Sequence, residues 1–230
     1  GLGTGRLAEE LVKQSTLHVV VVDNDAARIA GFRRRMDMAG LYGSRIAAMT
    51  GDPFAFQAPP YMAVLVTSED VWAGGLNASR HMAVNVFDVL RPYGGVAALW
   101  SPEDRLGELI GWARMLPAPM EVSGSNTCVR VRRVGALPGS GSWTHQYADA
   151  GNTVVSKDKL VKAPLGLLWF GGPPNDPILP RHGHGPTPQV LEGRVFIEGT
   201  NLLRAVDVYT GRLLWEYISP DIGSFYNSTM

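Results

Sequence analysis

The chain has 230 residues, 45% of them hydrophobic, with 21 basic and 21 acidic side chains and no formal net charge. That length accommodates one full domain and part of a second, and the balanced charge argues against broad electrostatic binding to nucleic acid or an anionic membrane. A single cysteine, Cys128, excludes an intrachain disulfide and any multi-cysteine metal site.

The chain opens with GLGTG, and Leu7, Ala8, Leu11 and Val12 then recur at helical spacing, so a glycine-rich turn feeds a helix. The apolar run from His18 to Val22 ends in Asp23 and reads as a strand buried on both faces of a parallel sheet. A second helix follows, with Asp25 as N-cap and Gly40 as terminator. Its Arg33, Arg34 and Arg35 read as a solvated face, not a nucleic-acid patch. SRIAAMTGD is a short strand leading to Gly51 and Asp52, and QAPPYMAVLVTSED supplies another that ends at the polar cluster Thr67 to Asp70. A helix over 78–90 stops at RPYGG, and GGVAALW is the next strand. SPEDRLGELIGWARML predicts a helix with Ser101 as N-cap and Pro102 in its first turn. MEVSGSNTCVRVRRV predicts a hairpin around SGSN, with Cys128 a small buried filler. Strands alternating with helices, closed by a hairpin, make residues 1–134 an open α/β, mainly parallel sheet. The longest apolar runs are strand-length, far short of a membrane span.

Residues 135–142, GALPGSGS, read as a linker. Beyond them, over 143–230, short strands (LGLLWFGG, GRVFIEG, LLRAVDV, RLLWEY) punctuated by Gly and Pro give an all-β pattern with blade-like spacing. Trp169 and Trp215 are expected to pack within it. In RHGHGP, His182 and His184 read as loop histidines bonded to backbone, so no metal site is expected.

Glycine is required where φ is positive or a ligand approaches the backbone, and the helix that follows presents free N–H groups and a positive dipole end. Two ligand classes use that geometry. Gly3, Gly5 and Ala8 fit the dinucleotide form G-x-G-x-x-A. GLGTG followed by RLA also resembles motif I of the class I S-adenosylmethionine-dependent methyltransferases. LRPYGG resembles that family's turn before the fifth strand, and the Met120 to Val134 hairpin its closing antiparallel pair. The resemblance implies a Rossmann-like fold that binds S-adenosylmethionine. Gly1, Gly3, Thr4 and Gly5 would line the cofactor, Asp23 and Asn24 its ribose, and Asp52 and Pro53 its adenine. Ser68 would lie near the reacting methyl, with Glu69 and Asp70 as candidate general bases. The family's first strand, with the acid ahead of the glycines, is expected to lie outside these residues, before Gly1.

LLRAVDVYTGRLLWEY resembles the repeat of pyrroloquinoline-quinone-type β-propellers, through Ala205, Asp207, Thr210, Gly211 and Trp215. This implies a tight hairpin turn at Asp207 and Thr210-Gly211, with Trp215 docked between adjacent blades. Residues 143–230 would supply about two blades of an incomplete propeller. Pyrroloquinoline quinone and calcium would enter only with a complete one, and the expected partner is the remainder of that propeller. The leading expectation is an S-adenosylmethionine-binding, methyltransferase-like domain fused to the start of a quinoprotein-like propeller, with the methyl acceptor left open. The rivals are a quinone-dependent dehydrogenase with a degenerate nucleotide-binding insertion, and a non-catalytic propeller scaffold. An active methyltransferase implies a cytoplasmic location, a quinoprotein a periplasmic or exported one.

Overall fold

A computed structural model describes residues 1–76, 80–116, 119–178 and 186–222. His182 and His184 lie outside the described residues. The chain divides into two compact units, Gly1–Val134 and Gly135–Met230.

The first unit runs α1 (Arg6–Gln14), β1 (Val19–Asp23), α2 (Ala26–Met38), β2 (Ile46–Thr50), β3 (Leu65–Ser68), α3 (Arg80–Val89) and β4 (Val96–Trp100). A one-turn 3-10 helix, Glu103–Arg105, leads into α4 (Leu106–Ala113), and the hairpin β5 (Met120–Ser125) and β6 (Cys128–Arg133) closes the unit. Local chemistry explains the elements. Asp25 caps α2 by accepting the Arg28 N–H, Ile29, Phe32 and Met36 place one apolar stripe inward, and Gly40, at φ 68°, ends the helix. Strand β1 pairs in parallel with β2, Val19 opposite Ile46, and β3 in parallel with β4, Leu65 opposite Val96. Strand β6 pairs antiparallel with both β4 and β5. The result is a Rossmann-like α/β arrangement with an antiparallel hairpin at one edge. Buried Arg133 on β6 donates to the carbonyls of Phe87 and Leu90, where α3 ends.

The sheet is in two pieces. One is β1–β2; the other has the order β3-β4-β6-β5. Two hydrophobic cores follow from this, one around Ile29, Phe32 and Ile46, the other around Leu90, Trp112 and Val129. The double-sided burial expected for β1 is therefore only half realised. Val21 and Asp23 are buried but Val20 is 45% exposed, because among the described residues no strand pairs with the edge of β1 away from β2. Ser101 is a second correction. It caps no helix: its hydroxyl accepts the Trp72 indole N–H and donates to the Pro102 carbonyl, and the helix begins later, as a 3-10 turn. The expected hairpin is present, with Cys128 buried opposite Trp100.

The second unit holds, among the described residues, one four-stranded antiparallel meander: β7 (Gln189–Leu191), β8 (Arg194–Gly199), β9 (Leu202–Asp207) and β10 (Leu213–Ile218). The run LGLLWFGG is not a strand. Leu165, Leu167 and Phe170 are exposed on irregular chain that, among the described residues, no strand pairs. Nor is the segment 135–142 a free spacer. The Gly141 N–H donates to the Asp158 carboxylate and the Lys159 N–H to the Gly139 carbonyl, tying it into this unit.

The β9–β10 turn is built as its residues dictate. Asp207 Oδ1 accepts the N–H groups of Tyr209 and Thr210, and the Gly211 N–H donates back to the Asp207 carbonyl. Gly211 sits at φ 68° with the Trp169 ring against it, where a Cβ would overlap the ring, and Trp169 Nε1 donates to the Val208 carbonyl at 2.8 Å. Trp215 is half-exposed and tilted against Phe196. Gly211→Ala should cost this unit about 2 kcal/mol through left-handed strain and overpacking. Amide exchange in β8 and β9 should accelerate while that in β4 and β6 holds; equal rates in β8 and β9 would contradict the role given to Trp169.

Candidate nucleotide site

The site begins with the turn at Gly1–Gly5. The Gly5 N–H donates to the Leu2 carbonyl at 2.9 Å, and Gly3 and Gly5 take φ of 57° and 85°. Gly5 is the N-cap of α1 and offers no side chain to cap it, while the Arg6 N–H donates to the Thr4 hydroxyl at 3.3 Å. A Cβ on Gly5 would lie 2.8 Å from the Phe32 ring, so the glycine also sets how closely the turn packs on α2. From α2, Arg35 Nη2 reaches back to the Thr4 carbonyl at 3.2 Å and to the Glu9 carboxylate at 3.0 Å.

Asp23, at the end of β1, is 2% exposed and lies directly against this turn. Its Oδ2 accepts the Leu2 N–H, its Oδ1 accepts the Asp25 N–H at 2.8 Å, and Arg28 Nη1 stands 3.2 Å away. Gly1 comes so close that a Cβ there would sit 2.8 Å from Asp23 Oδ2. Burial pushes the carboxyl pKa up, but the Asp25 and Leu2 N–H groups and the Arg28 guanidinium outweigh it and hold Asp23 below the usual carboxylate range. Position and charge suit an acceptor of hydroxyl hydrogens, and both oxygens already serve the protein's own donors.

The other sequence candidates gather at the same strand ends to different degrees. Glu69, exposed just after β3, holds its Oε2 3.2 Å from where a Cβ on Gly3 would lie. Ser68 donates its hydroxyl to the Asp70 carbonyl at 3.1 Å. Asp70 Oδ1 accepts the N–H groups of Trp72 and Ala73, which makes it the cap of the turn after β3. Asn24 is exposed beside Asp23, and Thr4 is exposed in the glycine turn. Asp52, exposed past the end of β2, accepts the Phe54 N–H at 2.8 Å, with Pro53 beside it. Gly1, Pro53, Ser68 and Glu69 all line one cleft, which extends between β1 and β3. Among the described residues no cluster of three metal-ligating side chains occurs, and no helix is long and apolar enough to cross a membrane.

Two site residues escape a sequence reading. Arg28 pairs with Asp23 from five positions on, and its one sequence signal is its place three residues past the Asp25 cap. Arg35 lies in a stretch whose sequence reads as a solvated face, yet it bonds the glycine turn, while Arg33 donates to the Ala48 carbonyl of β2 at 2.6 Å.

No protein-family model matches the chain, and neither does any curated protein. Among solved structures, it is similar over 54% of its length to the [4+2]-cyclase SpnF, at 15% identity and a TM-score of 0.46, covering 51% of that chain. It is similar over 53% of its length to a putative sarcosine dimethylglycine methyltransferase from Galdieria sulphuraria, at 16% identity and a TM-score of 0.44, covering 54% of that chain. A putative S-adenosyl-L-methionine-dependent methyltransferase from Methanococcus maripaludis is similar over 60% of the present chain and 76% of its own, at 15% identity and a TM-score of 0.45. The chain spans about half the length of the first two.

Proposed function

We propose that the first unit binds S-adenosylmethionine and acts as a methyltransferase-like domain. One observation carries this reading: the acid that ends β1 and the glycine turn that opens α1 meet through the Leu2 N–H, at a mouth shared with Glu69. Asp23 would exchange that N–H for the ribose hydroxyls, retaining Arg28 to hold its charge, with Asn24 beside it. The left-handed turn over Gly3, Thr4 and Gly5 would let the amino-acid portion approach backbone with no side chain in the way. Asp52 and Pro53 would border the adenine, one strand further out.

The bound sulfonium supplies an electrophilic methyl group for in-line displacement, so the protein's contribution is mainly alignment. Glu69 is the better-placed base where an acceptor must lose a proton, because it is exposed and faces Gly3, whereas Asp70 is engaged with two backbone N–H groups. For the second unit, the Asp207–Gly211 turn packed on Trp169 supports a single propeller-type blade. The exposed Tyr217 and Ile218 of β10 suit a neighbouring blade. Nothing in this chain is assigned to a quinone or to calcium.

Calorimetric titration of the chain with S-adenosylmethionine, NAD and buffer tests the reading. Saturable heat with S-adenosylmethionine alone is expected. Preference for NAD would move the site to the dinucleotide class, and heat with neither ligand would leave the scaffold.

A further inference from the structure

The segment after β3 lies across the glycine turn at two points. Glu69 Oε2 stands 3.2 Å from where a Cβ on Gly3 would lie, and a Cβ on Gly74 would sit 2.8 Å from the Gly1 nitrogen. Residues 70–76 form one self-bonded turn. In it the Gly74 N–H donates to the Asp70 carbonyl, the Gly75 N–H to the Trp72 carbonyl and the Leu76 N–H to the Val71 carbonyl. Gly74 is buried, and Gly1 fits between it and Asp23. A nucleoside that reaches both Asp23 and Gly3 must therefore displace this strap.

Trp72 anchors the strap from the side. Its indole N–H donates to Ser101 Oγ at 2.7 Å, and Ser101, just after β4, is 5% exposed. Arg105 Cζ stands 3.6 Å from the centroid of the Trp72 ring. The Glu108 carboxylate accepts from Arg105 Nε at 3.2 Å and from Nη2 at 3.0 Å, which fixes the guanidinium plane. The ring also packs against the core that holds Val71, Leu90 and Trp112. We propose that Trp72 is a positioning residue of the nucleoside site: clasped by Ser101 and Arg105, it holds residues 69–76 on the glycine turn and sets how fast a nucleoside enters and leaves. The identity of the ligand rests on the function proposed above, whereas the clasp rests on these contacts alone. One hydrogen bond and one cation over a ring are each weak, so the clasp can open locally without unfolding the unit, as a gate must.

Hydrogen exchange of the chain without ligand tests the clasp. In Arg105→Ala and in Ser101→Ala the Gly74 and Leu76 amides should exchange about three- to tenfold faster, while Val129 and Val131 of β6 keep their rates. Arg105→Lys keeps the charge but loses the planar fork, and should restore part of the protection. Stopped-flow binding of S-adenosylmethionine, followed by tryptophan fluorescence, tests the gate. Association and dissociation should quicken together in both alanine variants, leaving Kd nearly unchanged. Three results would overturn the proposal. Strap amides that exchange at parent rates in both variants would remove the clasp. Acceleration spread equally to Val129 and Val131 would make Ser101 and Arg105 general supports of the unit. A loosened strap with unchanged binding rates would show that it is no gate. A parent chain that binds no S-adenosylmethionine, with the strap loosened in the variants as expected, would sink the nucleoside reading and the gate with it, but not the clasp.

Discussion

Gly5→Val should destabilise the first unit by about 3 kcal/mol, the sum of left-handed strain and overpacking. Gly5 holds φ 85°, which a β-branched residue adopts at a cost, and its Cβ would meet the Phe32 ring at 2.8 Å. Phe32 is fully buried between α2 and the β1–β2 pair and has nowhere to retreat. Arg35, the other neighbour, is an exposed and flexible side chain that can swing away, so the ring decides the outcome. Gly5→Ala should incur the backbone strain with a smaller clash and fall between Val and the parent. A urea titration that found both variants as stable as the parent would show that the turn does not hold this conformation in solution.

Asp23→Ala should cost about as much, by a different route. It leaves the Leu2 and Asp25 N–H groups without an acceptor in a buried position, at about 1–3 kcal/mol for each unsatisfied donor, and it strips Arg28 of one of its two carboxylate partners. Asp23→Asn keeps an acceptor and removes the charge, which isolates the pH dependence. The folded carboxyl has a lowered pKa, so its contribution is complete above the unfolded value near 4 and is lost as pH falls through the folded value. The stability gap between parent and Asp23→Asn should therefore be wide at pH 7 and shrink below pH about 4. A gap independent of pH, from urea midpoints at both ends of that range, would mean that the charge of Asp23 does not contribute.

What the sequence discloses and what it hides divide along the range of the interactions. Helix α2 is legible because its cap, its apolar stripe and its terminating glycine all lie within it, from Asp25 to Gly40. The β9–β10 turn is legible for the same reason, since Asp207 bonds residues two and three positions on. Ser101 was misread because its hydroxyl answers to Trp72, which is distant in sequence and meets it only in the fold. Residues 135–142 have linker composition, yet Asp158 gathers them through a bond that composition does not announce. The apolar runs at Val19–Val22 and Leu165–Phe170 carry the same ambiguity. Hydrophobic strings look alike whether or not a partner strand lies alongside, and among the described residues these two have a partner on one edge only or none. Within the site, the glycines and Asp23 were readable as a set, whereas Arg28 and Arg35 act across the β1–α2 junction and between helices.

The central claim is that Asp23 and the glycine turn grip one nucleoside together. A crystal structure of the chain with S-adenosylhomocysteine tests it most directly. The account predicts the ribose hydroxyls within hydrogen-bond distance of the Asp23 carboxylate and the amino-acid portion over Gly3 to Gly5. A ligand seated elsewhere, with Asp23 still bonded to the Leu2 N–H, would contradict it.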